Sequence, residues 1–123
     1  MTRRVCVIDT DPGTDDAVAL WLALASPELD VRLVTVAGGN VGLAHTLRNA
    51  RAIVGLTGRD VPVVAGAEGP LLGAFRSETA VHGADGLAGV ALPEGPPATS
   101  GIAADAIRAL LHAHDRVTLI GIG

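Results

Sequence analysis

Residues Val5–Leu20 read V-C-V-I-D-T-D-P-G-T-D-D-A-V-A-L, and we predict the fold from this stretch. Its first four residues, Val5–Ile8, are all apolar, which is typical of a strand buried on both faces in a parallel sheet. A Pro-Gly pair then breaks the extended backbone, and Thr14 is a residue type that caps a helix beginning at about Asp15. A buried strand that turns at once into a helix is the first half of a βαβ unit.

The same alternation of strands and helices continues to the end of the chain. Runs rich in β-branched residues predict further strands, and apolar residues at helical spacing predict further helices. The strands are predicted at 31–37, 61–65 and 117–122, and the helices at 43–56 and 100–112. We therefore predict an α/β fold, an open parallel sheet of Rossmann-like βαβ units, with residues 1–123 in a single domain.

Two local signals define the predicted helices further. In the first helix the residues that recur at helical spacing are Val18, Trp21, Leu22 and Ala25. Ser100 is the residue type that caps the last helix.

Between the third strand and that helix, residues 66–99 are rich in Gly and Pro and show no sustained period. Irregular segments of this length are usually functional or disordered.

Four carboxylates, Asp9, Asp11, Asp15 and Asp16, lie within eight residues, where the first strand ends and the first helix begins. The formal net charge is −4, and the remaining nine acids match the nine arginines, so the negative charge is local to this cluster. The helix dipole favours each acid in a first turn by only about 0.3–1 kcal/mol, which does not offset the crowding of four like charges. A bound hard cation would offset it, and oxygen ligands indicate calcium or magnesium.

These residues belong to a longer pattern. The stretches that carry it are D-T-D-P-G-T-D-D-A-V-A-L at 9–20, G-G-N at 38–40, T-L-R-N-A at 46–50, V-H-G-A-D-G at 81–86 and T-L-I-G-I-G at 118–123. Together they resemble the nucleoside hydrolases of the inosine/uridine-preferring type, which cleave the N-glycosidic bond of ribonucleosides. Members of that family are well over twice this length, so the resemblance implies the N-terminal portion of such a domain.

The resemblance implies a calcium site, with Ca²⁺ expected in preference to Mg²⁺. Asp11 corresponds to a metal ligand that is also the general base for the attacking water, and Asp16 corresponds to a second carboxylate ligand. The backbone carbonyl of Ile122, at the end of the last predicted strand, corresponds to a further ligand. Asp9 resembles a residue that holds the others in place.

The resemblance also implies the residues that bind the nucleoside substrate. Asp15 corresponds to a residue that hydrogen-bonds a ribose hydroxyl, and Asn40 to an asparagine near the metal and the ribose. His82 corresponds to a histidine near the nucleobase, although a lone histidine in a loop is more often solvated. Asp85, in the same loop, is most simply a turn residue.

In members of the family it resembles, the later half of the chain supplies another metal-binding aspartate, the histidine that protonates the leaving base, and polar ribose ligands. We therefore expect this chain alone to have negligible hydrolase activity. The sheet is expected to be incomplete at its C-terminal end, because the last predicted strand is apolar on both faces and nothing follows to cover it. The resemblance further implies a homo-oligomer when the protein is intact.

Composition excludes some functions and leaves two alternatives open. The sequence lacks a basic stripe of the kind that binds nucleic acid, and it has no apolar run long enough to span a membrane. The single cysteine, Cys6, indicates a reducing, cytoplasmic setting. One alternative is a degenerate piece that at most binds a divalent cation. The other is a phosphatase of the haloacid dehalogenase type, which also begins with D-x-D after a strand. Gly13 stands where that pattern has Thr or Val, which weakens the match.

Overall fold

The sheet of this protein has the predicted parallel arrangement. The structure, a computed structural model, describes residues 2–123. The strands are β1 (Arg4–Thr10), β2 (Leu29–Val36), β3 (Val63–Ala65) and β4 (Thr118–Gly121), and the helices are α1 (Thr14–Ala25), α2 (Leu43–Leu56), α3 (Thr79–His82) and α4 (Ala103–Ala113). All strand pairs are parallel and the order is β3-β2-β1-β4. The prediction of an α/β fold with an open parallel sheet is confirmed.

Helices cover both faces of the sheet, which explains why β1 is apolar without alternation. Cys6 and Ile8 of β1 are buried on one face, in the cluster that includes residues of α1 and α2. Val7 points to the opposite face, where it packs with Leu33 of β2 and with α4. Successive residues of a strand face opposite sides, so a strand between two layers of helices needs apolar residues at every position.

The N-terminal caps of two helices differ from the prediction. Gly13, not Thr14, is the N-cap of α1, and the backbone N–H of Gly13 donates to Asp16 Oδ2 over 3.1 Å. Thr14 is instead the first helical residue. At the other helix, Ser100 does not act as the cap, because α4 begins at Ala103 with Ile102 as its N-cap. In α1 the carboxylate of Asp16, at the third helical position, therefore accepts from the N–H of the N-cap residue, as in a capping box.

The apolar residues of α1 at helical spacing do not form its buried face. Leu20 and Leu24 point into the core and are almost fully buried, whereas Val18 and Leu22 are 69% and 71% exposed. Trp21 is half exposed and lines an apolar cavity of about 220 Å³ between α1, α2 and residues 87–92. The alanine-rich sequence of α1 offers two apolar faces, and packing on the sheet selects the face with Leu20.

Residues 66–99 are largely irregular, as predicted, with the one-turn helix α3 as the addition. Backbone hydrogen bonds attach this segment to the loop that follows β2. The N–H of Gly38 donates to the carbonyl of Ala67 over 2.9 Å, and the N–H of Glu78 donates to the carbonyl of Asn40 over 2.6 Å. The long segment is therefore held at the end of β2 where Asn40 lies.

Strand β4 is an edge of the sheet in the part of the chain that the structure describes. It pairs with β1 on one side, and its Leu119 is 62% exposed. The strand is also shorter than the predicted 117–122, ending at Gly121. None of the helices within residues 2–123 is long and apolar enough to span a membrane.

The register brings the carboxyl ends of three strands together at one rim. Asp9 near the end of β1 lies opposite Thr35 of β2 and opposite Gly121 of β4. In open parallel sheets ligands bind at this rim, beyond the carboxyl ends of the strands. The acidic stretch that follows β1 therefore begins where a binding site is expected.

Candidate functional site

Asn40 joins two of the acidic residues at the rim of the sheet. Its backbone N–H donates to Asp11 Oδ2 over 2.8 Å. Its side-chain amide donates to the Asp11 carbonyl oxygen over 2.9 Å and to Asp16 Oδ2 over 2.8 Å. Asn40, in the loop after β2, thus holds the start of the β1–α1 loop and the first turn of α1 in a fixed relation.

The two carboxyl groups joined by Asn40 are buried. Burial raises the pKa of Asp11 above its ordinary value, against the lowering effect of the backbone hydrogen bond from Asn40. Burial likewise raises the pKa of Asp16, against the hydrogen bond from the Gly13 N–H, and the negative charge of Asp11 adds to the rise. Positive charge placed between these groups would favour their ionised forms.

Gly39 allows the Asp11 carboxylate to lie directly against the backbone of the loop after β2. A Cβ atom on residue 39 would overlap with Asp11 Oδ2. Any side chain at this position would displace the carboxylate from the Asn40 N–H. Close packing therefore requires glycine at residue 39.

Asp9 links the ends of three strands. Its Oδ1 accepts a hydrogen bond from the Thr35 hydroxyl of β2 over 2.5 Å, and its carbonyl oxygen accepts one from the Ile122 N–H over 2.9 Å. Ile122 is therefore at the rim, next to Asp9, as the sequence predicts. These contacts hold β2 and the residues after β4 in place around the end of β1.

His82 is buried and contacts the start of α1. Its Nδ1 accepts a hydrogen bond from the Thr14 N–H over 3.1 Å and lies 3.0 Å from the Thr14 hydroxyl. Because Nδ1 accepts the hydrogen bond of the Thr14 N–H, the hydrogen of the ring lies on Nε2. Nε2 is 4.0 Å from Asp15 Oδ1, and the Asp15 side chain is 83% exposed. His82, in the segment 66–99, therefore lies buried beside the acidic rim and is not solvated.

The four carboxylates do not form a single cluster, in contrast to the sequence-based expectation. Asp9 is engaged by Thr35, Asp15 is exposed beside His82, and Asp11 and Asp16 are the buried pair. Among residues 2–123 there is no group of three or more His, Cys, Asp or Glu side chains that could hold a metal ion. Helical geometry separates Asp15 from Asp16, because adjacent residues of a helix point in different directions.

The donor atoms at the rim nevertheless suit a hard divalent cation. Asp11 and Asp16 supply carboxylate oxygens, the Asn40 side-chain amide adjoins both residues, and the Ile122 backbone lies beside Asp9 at the same rim. Calcium accepts this mixture of carboxylate, amide and backbone oxygens and binds six to eight of them. The residues present fit such an ion as part of its ligand set, with further oxygens needed from water, substrate or other protein groups.

Two further residues contact the site but were not predicted from the sequence as site residues: Thr35, which donates to Asp9, and Asn49, which donates to the Pro12 carbonyl. Thr35 is a fully buried polar residue in an otherwise apolar strand, and Asn49 is a buried polar residue on the inner face of α2. The signal that could have identified them is the same in both cases. A polar side chain within an apolar stripe must find a hydrogen-bond partner, and it often finds one at a functional site.

The sequence of this chain is similar to those of nucleoside hydrolases. A family model described as "Inosine-uridine preferring nucleoside hydrolase" matches residues 6–123. The non-specific ribonucleoside hydrolase RihC of Escherichia coli O1:K1 / APEC is 45% identical over 123 residues, and RihC of Klebsiella pneumoniae is 42% identical over 125. Each match covers 98% of this chain and 40% of the relative.

Solved structures give the same result. A purine-preferring ribonucleoside hydrolase from Gardnerella vaginalis has a TM-score of 0.88 at 29% identity, over 98% of this chain and 40% of that structure. A plant nucleoside hydrolase has a TM-score of 0.86 at 36% identity, over 99% and 40% of the two chains. The chain thus spans about 40% of the length of these relatives.

Proposed function

The chain belongs to the inosine-uridine preferring nucleoside hydrolase family, and from this membership we propose that it serves the hydrolysis of the N-glycosidic bond of ribonucleosides. The products of that reaction are ribose and the free nucleobase. The observation that carries the proposal is the buried pair of carboxylates, Asp11 and Asp16, held together by Asn40 at the carboxyl ends of the strands. Family membership argues against the phosphatase alternative.

We propose Asp11 as the general base. In the reaction the water oxygen bonds to the anomeric carbon, the bond from that carbon to the base nitrogen breaks, and the water gives up a proton. The Asp11 carboxylate, held in place by the hydrogen bond from the Asn40 N–H, accepts that proton. The nucleobase leaves with the electrons of the broken bond, and the sugar passes through a transition state with oxocarbenium character.

Nucleoside hydrolases are in general metal-dependent, and we propose Ca²⁺ as the ion. Asp11, Asp16 and the carbonyl oxygen of Ile122 would hold it. When bound, a divalent cation supplies positive charge that makes the attacking water easier to deprotonate. Asp9 supports this set by fixing the Ile122 backbone, since the Ile122 N–H donates to the Asp9 carbonyl.

We propose that Asp15 and Asn40 bind the ribose. The Asp15 carboxylate is open to solvent and accepts hydrogen bonds from sugar hydroxyl groups. Both hydrogens of the Asn40 amide are used on Asp11 and Asp16, so its Oδ1 is the atom left to accept from a hydroxyl. His82 would contact the nucleobase through Nε2–H, because its Nδ1 is engaged by Thr14.

We propose that the chain alone has negligible turnover, since it spans about 40% of its relatives' length and the family's leaving-group acid belongs to the remainder. We further propose, from the family resemblance, a homo-oligomer for the intact protein and a role in purine and pyrimidine salvage. The proposed cytoplasmic location rests instead on the single cysteine, Cys6.

The test is calcium binding to the purified chain, measured by calorimetry with and without nucleoside. If Asp15 and Asn40 bind ribose beside the ion, inosine tightens calcium binding, because the coupling of two ligands is reciprocal. The control is 2′,3′-dideoxyinosine, which keeps the base but lacks the hydroxyl groups and is expected to have no effect. Calcium binding that inosine does not tighten, or no calcium binding at all, would support the degenerate-piece alternative. Release of free base from inosine or uridine would overturn the proposed inactivity.

A further inference from the structure

Asn49 lies on α2 and is 1% exposed, yet its side chain is polar. Its amide nitrogen donates to the carbonyl oxygen of Pro12 over 3.2 Å and to that of Asp85 over 2.8 Å. Pro12 precedes α1, and Asp85 follows α3. One amide group therefore bridges the loop that carries Asp11 to the segment that carries His82.

The turn that follows Asp85 packs directly on this bridge. Gly86 has a φ of +84°, and a Cβ atom there would lie 3.0 Å from Asn49 Nδ2 and 3.1 Å from the Pro12 carbonyl oxygen. Asp85 Oδ1 accepts hydrogen bonds from the N–H groups of Leu87 and Gly89, which lower the pKa of the Asp85 carboxyl group. The turn thus has a defined shape and is seated against Asn49.

The same turn is connected to His82. The N–H of Ala88 donates to the His82 carbonyl oxygen over 2.7 Å, and the His82 ring accepts from Thr14. Residues 82–89 are therefore attached to the start of α1 at two points. The first is the bridge through Asn49 and the second is the ring of His82.

We infer that Asn49 is a positioning residue that acts through His82. By holding residues 82–89 against Pro12, it keeps His82 Nδ1 on the Thr14 N–H and Nε2–H directed toward Asp15. The use of Nε2–H for substrate rests on the proposed function, whereas the positioning of the ring depends only on the contacts described above. A purely structural role would instead stabilise the whole fold without a particular effect on the His82 ring.

The experiment compares two substitutions on the same face of α2 in the full 123-residue chain. Asn49→Asp keeps the size of the side chain and replaces the donor with a carboxylate that faces two carbonyl oxygens. The matched control is Thr46→Val, at a fully buried residue one turn earlier, whose hydroxyl donates to the carbonyls of Ala37 and Leu43. Asn49→Ser serves as the second variant if Asn49→Asp does not fold, because a serine hydroxyl is too short to reach both carbonyls.

Two nuclear magnetic resonance readouts separate positioning from general stability. The first is hydrogen exchange of the Thr14 and Ala88 amides relative to the amide of Val34 in β2, which donates to the Pro62 carbonyl just before β3. We expect the loss of Asn49 to accelerate Thr14 and Ala88 about tenfold beyond any change at Val34, as the loss of a buried hydrogen bond predicts. The second is the pair of ring nitrogen shifts of His82, which we expect to move toward an averaged tautomer. In Thr46→Val we expect no acceleration of the Thr14 and Ala88 amides beyond that of Val34, and no change in the His82 nitrogen shifts.

Equal acceleration of all three amides, with unchanged His82 nitrogen shifts, would overturn the inference. Neither readout needs calcium or nucleoside, so the proposed function can fail separately. If the Asn49 variants behave as expected but inosine with calcium leaves the His82 signals of the parent chain unchanged, the positioning role stands and the substrate contact of His82 is wrong.

Discussion

The Asn40 side-chain amide donates to Asp16 Oδ2 over 2.8 Å, and this contact joins the loop after β2 to the first turn of α1. Asp16 also accepts from the Gly13 N–H, so the same oxygen serves the N-terminus of the helix and the loop after β2. A buried carboxylate without such donors would be strongly disfavoured. The contact therefore explains how a charged residue is retained at a buried position next to Asp11.

The first prediction concerns the energy of this contact. In a double-mutant cycle of Asn40→Ala and Asp16→Ala without calcium, we expect a coupling energy of about 1–3 kcal/mol, because a hydrogen bond to a charged group is lost only once in the double variant. The measurement is chemical denaturation of the four proteins. Asp60, an exposed residue, provides the control cycle with Asn40, for which coupling within about 0.5 kcal/mol of zero is expected. A coupling near zero for Asn40 and Asp16 would contradict the bridge.

The second prediction concerns calcium. At a concentration about 100-fold above its dissociation constant, calcium is expected to stabilise the chain by about 2.7 kcal/mol, which corresponds to a rise in Tm of roughly 10 °C. Asp11→Asn and Asp16→Asn are each expected to abolish most of that rise, because each removes a carboxylate ligand. The measurement is thermal unfolding with calcium and with a chelator.

The control for calcium binding is Asp60→Asn, which changes the net charge by the same amount at an exposed position away from the rim. It should keep the full calcium-dependent rise. An equal loss in this variant would mean that calcium acts through net charge. A full rise in both Asp11→Asn and Asp16→Asn would place the ion elsewhere.

Much of the fold could be predicted because its signals are local and redundant. The bounds of α2 agree with the predicted 43–56, since a long amphipathic helix has a strong period and a glycine just beyond its end. The buried face of α1 could not be predicted, because Val18 and Leu22 are as apolar as Leu20 and Leu24. Only the packing of α1 on the sheet distinguishes these two sets.

Only the part of the site that follows from the strand topology could be predicted. Asp11, Asp16 and Asn40 share one rim, and parallel topology places residues after strands together, so their meeting was predictable. The separation of Asp9 and Asp15 from that pair was not, because it depends on contacts with Thr35 and His82. Those partners are 26 and 67 positions away along the chain, and no local pattern connects them.

The third prediction tests the two faces of α1. Leu20→Ala is expected to lower the free energy of unfolding by about 2–5 kcal/mol, because it leaves a cavity in the core. Leu22→Ala removes the same atoms from a side chain that is 71% exposed, and a change within about 0.5 kcal/mol is expected. Both variants are measured by denaturation with urea. A cost above about 2 kcal/mol for Leu22→Ala would show that this face is covered in solution.

The fourth prediction is the pH dependence of stability without calcium. Burial raises the pKa of Asp11 and Asp16 in the folded chain above the ordinary 3.8. At pH values between 3.8 and the raised pKa, the folded state therefore binds more protons than the unfolded state. Their contribution is therefore favourable at low pH and is lost as pH rises through the folded pKa. Subtracting the unfolding free energy of Asp11→Asn/Asp16→Asn from that of the parent chain isolates this contribution. We expect the difference to fall as pH rises above the ordinary pKa of 3.8. Saturating calcium is expected to reverse this slope, because calcium binds the ionised carboxylates. A difference that rises with pH in the calcium-free chain would mean that hydrogen bonds, and not burial, dominate these two carboxylates.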